Sequence, residues 1–86
     1  MFLHYSSRFK KSFRKRPEWL REIVKARVRL FAQDPRYPLL DDHPLGGKLA
    51  GLRSFSVTGD VRIQYEPFSD GSARLIDLGT HSELYG

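Results

Sequence analysis

Eighty-six residues with 15 Lys/Arg against 10 Asp/Glu and no cysteine describe one small, basic domain. A chain this short buries only about 60% of its unfolded surface, so the core is thin. A disulfide framework and a thiolate zinc site are excluded, and no apolar run approaches the roughly 18 residues that a membrane-spanning helix needs.

The charge is unevenly spread. Residues 1–36 hold eleven Lys/Arg and three Asp/Glu, a net of +8, whereas residues 37–86 hold four and seven, a net of −3. A basic half this concentrated suits a polyanionic partner, nucleic acid first and an acidic protein segment second. The opening stretch MFLHYSSRFKKSFRKR has no apolar h-region, so no secretory signal is expected.

In chain order, Phe2-Leu3-His4-Tyr5 predicts a short strand, with Ser6 or Ser7 as the N-cap of a basic helix. Tyr5, Phe9 and Phe13 recur every four residues and predict an inward aromatic stripe. Pro17 starts a second helix, with Glu18 and Glu22 near its positive end. Along it Leu20, Ile23, Val24, Val28 and Phe31 form an apolar stripe, and Arg21, Lys25 and Arg29 face away. Asp34-Pro35 ends this helix, and residues 36–47 read as a loop.

Three strands follow, over 53–57, 61–65 and 73–78, the first two joined by the turn Thr58-Gly59-Asp60. The expected fold is therefore α+β, with two N-terminal helices packed on one face of a small, curved, mainly antiparallel sheet across a single domain of residues 1–86. Along the second strand of the hairpin, Val61, Ile63 and Tyr65 alternate with Arg62 and Gln64, which puts Arg62 on the open face.

The groups that carry chemistry lie beside these strands. His81 follows the last strand, and an imidazole, with an ordinary pKa of about 6.5, donates or accepts protons at neutral pH. His43 sits in the Pro/Gly-rich loop, and Asp60 in the turn is either a proton acceptor or an orienter of a histidine. Arg62 either stabilises charge on a phosphorane or pairs with Asp60, Asp77 or Glu66. Tyr85 either stacks on a base or pins the chain end. Such a set can break an RNA phosphodiester without metal. No cluster has metal-ligand spacing, and no cofactor is expected.

Three pieces in order, HPL-x-G-x-x-x-G-x-R, D-x-R-I-x-Y and GTH-x-x-L-Y-G, resemble the RelE/ParE superfamily of bacterial toxins, with YafQ-like mRNA interferases as the nearest branch. The resemblance implies a cytoplasmic toxin of a type II toxin–antitoxin pair that cuts mRNA in the ribosomal A site by 2′-hydroxyl attack. It places the branch's functional histidines on His43 and His81, its acidic residue on Asp60, its aromatic on Tyr85 and the wider family's phosphate-binding arginine on Arg62. Ser56 stands where the branch has another histidine and Val61 where it has tryptophan.

On this reading His81 is the general acid, Asp60 or His43 is the base or orients it, and Lys48 and Arg53 assist with phosphate. Lys10, Lys11, Arg14, Lys15, Arg16, Arg21 and Lys25 dock on ribosomal RNA. The expected partners are the ribosome, its mRNA and an antitoxin with an acidic or amphipathic segment, and no membrane. Two alternatives stay open, a ParE-like inhibitor of DNA gyrase and a degenerate member that only binds its antitoxin.

Overall fold

The computed structural model describes residues 1–85. Strand β1 (Leu3–Tyr5) leads into helix α1 (Ser7–Arg14) and helix α2 (Glu18–Gln33), then strands β2 (His43–Pro44), β3 (Arg53–Ser56), β4 (Val61–Pro67) and β5 (Ala73–Thr80), and a short helix α3 (His81–Tyr85). Ser6 caps α1, its hydroxyl accepting from the Phe9 amide at 2.9 Å. Pro17 is itself the extended N-cap of α2, one position before the first turn.

The five strands run in the order β1-β5-β4-β3-β2. All neighbours are antiparallel except β1, which lies parallel to β5. A bulge in the β4–β5 ladder shifts the register between Gln64 and Tyr65, so Leu75 and Leu78, three residues apart, both reach the core.

The core lies between one face of the sheet and helices α1 and α2. Leu20, Val24 and Phe31 from α2 and Phe9 from α1 pack with Phe55, Val57, Ile63, Tyr65, Leu75 and Leu78. Phe31 stacks on Phe55 with centroids 4.3 Å apart and meets Tyr65 edge-on at 4.6 Å. The aromatic stripe is uneven: Phe9 is buried, Phe13 is half-buried and Tyr5, held in β1, is exposed. Where β1 stops pairing, α1 takes over the flank of β5, with Ser6 Oγ donating to the Ile76 carbonyl and Ser12 Oγ to the Leu78 carbonyl, both at 2.6 Å. That covers an edge otherwise open to pairing.

The loop expected over 36–47 is more structured than its composition implied. It contains a 3-10 turn at Pro38–Leu40 and the edge strand β2, which carries His43.

Candidate active site

Side chains alternate along a strand, and directly paired residues share a face, so the register defines the face opposite the helices. One row across that face is His43–Ser54–Gln64–Asp77, and the next is Ser56–Arg62–Gly79. Helix α3 folds back over this face, because a side chain at Gly79 would meet Glu83 Cβ at 3.1 Å and Leu84 Cδ2 at 3.5 Å. The face is therefore only partly open: Ser54 and Gln64 are buried in its floor.

Asp41 ties the two rows together. It adopts a left-handed backbone (φ 47°), uncommon outside glycine and best tolerated by Asn and Asp. Its carbonyl accepts from His43 Nδ1 at 2.8 Å, and its carboxylate accepts from Arg62 Nη2 at 3.3 Å. A carbonyl can only accept, so Nδ1 carries the hydrogen and the neutral His43 ring keeps the Nε2 lone pair free for a proton. Arg62 thus has an ion-pair partner, Asp41, which is none of the three carboxylates its sequence neighbourhood suggested. It reaches that partner across the small Ser56. Arg62 Nη1, Ser54 Oγ and Gln64 Nε2 are buried without a partner among the described residues. Buried polar groups are nearly always paired, so the protein's own hydrogen bonding is incomplete along this strip, as it is at Arg16 Nε.

The second cluster comes from α3. The β4–β5 ladder ends at Val61 opposite Thr80, which brings Asp60 and His81, the next residues of each strand, to the same end of the sheet. Asp60 is exposed and forms no ion pair among the described residues. His81 and Tyr85 are one helical turn apart with ring centroids 4.6 Å from each other. Thr80 and Glu83 form a reciprocal cap: the Glu83 amide donates to Thr80 Oγ1 at 3.2 Å and the Thr80 amide to Glu83 Oε1 at 2.8 Å. The Thr80 amide, and then the Arg16 guanidinium, hold the Glu83 carboxyl below its ordinary range. The T-x-x-E spacing of Thr80 and Glu83 was the available sequence signal for this helix.

The basic residues divide into groups. Lys48, in the 3-10 turn Gly47–Leu49, lines a hollow with Leu45, Leu84 and Tyr85 and so joins the site. Arg53 does not. It pairs with Tyr65 and hence faces the helix side, where its Nε donates to Asp42 Oδ1 at 3.2 Å. Asp42 also accepts from the Tyr65 hydroxyl at 2.7 and 2.8 Å. Burial, then this bond, push the Tyr65 phenol well above its ordinary range.

Arg16 likewise leaves the docking set, because its guanidinium turns inward onto Glu83, Ser12 and the Leu78 carbonyl. Arg21 Nη1 donates to the Arg16 carbonyl, and Lys25 Nζ pairs with Glu22 at 3.0 Å. Lys11 and Lys15, with Arg8, line a cleft between α1 and α3, whereas Lys10, Arg14 and Lys25 rim an apolar hollow between α1 and α2. No group of metal-binding side chains occurs among the described residues, and no helix among them is long and apolar enough to cross a membrane.

No family model and no curated protein sequence matches the chain. Solved structures do. The crystal structure of YafQ from E. coli is 24% identical with a TM-score of 0.80, over 98% of this chain and 97% of that one. The E. coli DinJ-YafQ toxin-antitoxin complex matches at 26% identity and a TM-score of 0.76, over 98% and 96%. A YoeB/ParE toxin from Agrobacterium tumefaciens matches at 21% and 0.76, over 94% and 99%.

Proposed function

We propose that this chain, which has the fold of the RelE/ParE-like toxins and is similar to YafQ, is the toxin of a type II toxin–antitoxin pair and cleaves mRNA on the ribosome. The observation that carries the reading is the Asp41 bridge, which gathers His43 and Arg62 onto the face that α3, the helix that begins at His81, overhangs through Glu83 and Leu84. In the reaction, His43 Nε2 takes the proton of the RNA 2′-hydroxyl, and the 2′-oxygen bonds to phosphorus. The bond from phosphorus to the 5′-oxygen breaks as His81 protonates that oxygen, leaving a 2′,3′-cyclic phosphate and a 5′-hydroxyl. Arg62 faces the phosphate, where its charge stabilises the phosphorane. Asp60, at the same end of the sheet as His81, is the other candidate for proton acceptor, and Tyr85 offers a stacking face.

Such a small enzyme leaves much of its substrate positioning to the ribosome, with Lys10, Lys11, Arg14, Lys15 and Lys25 as exposed cations for ribosomal RNA. The similar DinJ-YafQ structure is a toxin-antitoxin complex, which supports a cognate antitoxin as partner; the basic surface suits an acidic or amphipathic segment of it. The site of action is the bacterial cytoplasm.

The test is induced expression in a bacterial host followed by primer extension on a translated mRNA, for the parent and for His81→Gln. Discrete in-frame cuts that vanish in the variant are expected. Growth arrest without cuts would instead indicate a gyrase-type inhibitor, and no arrest a chain that only binds its antitoxin.

A further inference from the structure

Helix α3 carries His81 and Tyr85, yet it spans five residues and none of them is fully buried. A helix that short does not hold itself wound in water. Its two functional rings meet only because they lie four residues apart on a wound helix. Something outside α3 must therefore keep it folded.

The atoms that do so converge on Glu83. Besides the reciprocal cap with Thr80, both carboxylate oxygens accept from Arg16 Nη1, at 3.1 and 3.2 Å. Arg16 is held in turn from behind, its Nη2 donating to the Leu78 carbonyl at 3.0 Å and to Ser12 Oγ at 2.9 Å. Its side chain is only 17% exposed, while its neighbours Arg14 and Lys15 are open to solvent. The absence of a side chain at Gly79 lets Glu83 lie this close to the sheet.

We infer that Arg16 is a positioning residue: through Glu83 it pins α3 against β5 and so sets where His81 and Tyr85 stand over the face that bears Arg62. A rigid fork anchored to main chain at one end suits this task, and lysine, with a single ammonium, cannot span both ends. The inference rests on the proposed nuclease reading only for its effect on rate, because the geometry of α3 is measurable without any reaction.

The experiment compares the full chain with Arg16→Ala, Arg16→Lys and Glu83→Gln. One readout is the NMR signal of the His81 imidazole, which the Tyr85 ring current shifts, together with amide exchange over residues 81–85. The other is cleavage on programmed ribosomes, resolved into kcat and KM. For Arg16→Ala the His81 shift should collapse and residues 81–85 exchange faster while the sheet stays protected. The kcat should fall on the order of 100-fold with KM moving less than about threefold. Arg16→Lys should restore little of either.

Glu83→Gln keeps the cap but loses the ion pair, so it should fall between, and it decides the matter should Arg16→Ala fail to fold. An unchanged His81 signal and rate would overturn the inference, as would a loss confined to KM, which would make Arg16 an RNA contact. A parent that does not cleave would remove the nuclease reading while the His81 signal still tests the clamp.

Discussion

The contact between Tyr65 and Asp42 offers the sharpest quantitative test, because it links the core to the strand that carries His43. The Tyr65 hydroxyl donates to a largely buried carboxylate at 2.7 and 2.8 Å, and Asp42 is the residue before His43. A hydrogen bond to a charged group contributes about 1.5–3 kcal/mol. Tyr65→Phe removes that bond and keeps the ring packed on Phe31 and Phe55. The Arg53–Asp42 pair adds no more than about 1 kcal/mol, since Arg53 is 36% exposed and screened by solvent.

A domain of this size has a total stability of roughly 4–13 kcal/mol, so the single hydroxyl is a substantial part of it. The midpoint of thermal unfolding should fall by roughly 6–24 °C in Tyr65→Phe. Urea unfolding of Tyr65→Phe, Asp42→Ala and the double variant closes the cycle, with an expected coupling above about 1 kcal/mol. Additive effects, within about 0.5 kcal/mol, would refute the reasoning, because the hydroxyl and the carboxylate would then be independent.

Other outcomes follow from the same geometry. Arg62→Ala should slow cleavage on the order of 100-fold, the scale of losing one preorganised group at a developing charge, and cleavage at the parental rate would remove Arg62 from the mechanism. Asp41→Asn keeps the carbonyl bond to His43 and tolerates the left-handed backbone but releases Arg62 from an exposed carboxylate, so KM should fall by up to about fivefold. A raised KM would show that the pair orients Arg62 instead of competing for it. Acid should loosen α3 before the sheet. The Glu83 carboxyl is held below its ordinary value of 4.5, so its contribution is present above that value and is lost as pH falls through the folded one. Following the His81 and Tyr85 signals down in pH checks the order.

Much of this architecture was legible in the residues. The strand–helix–helix opening, the apolar stripe of α2 and the hairpin at Thr58–Asp60 all follow from period and turn chemistry. The alternation along β4 also separated Arg62 from Val61, Ile63 and Tyr65 correctly. The same alternation, applied to β3, puts Arg53 beside Phe55 and away from Ser54 and Ser56, so the pattern itself sets Arg53 on the helix side, against its expected role at the phosphate. Strand β2 was not legible, because two residues carry no period. Nor was the partner of Arg62, since Asp41 lies 21 residues away and meets it only through the sheet register. The charge of Arg16 suggested RNA, and only the fold shows that its guanidinium is already engaged.

The flanking of β5 by β1 and α1 also orders events in time. Ser6, Ser12 and Arg16 bond to carbonyls at 76 and 78, across 70, 66 and 62 residues of chain. A polypeptide is made from its first residue onward, so these early groups wait for the late strand, and pairings this remote are slow to form. Neither the seat of β1 nor the grip of Arg16 on Glu83 can exist before residues 73–83 emerge. On the proposed reading, a copy under synthesis is inert toward the ribosome that is making it until residues 73–83 have emerged and joined the sheet.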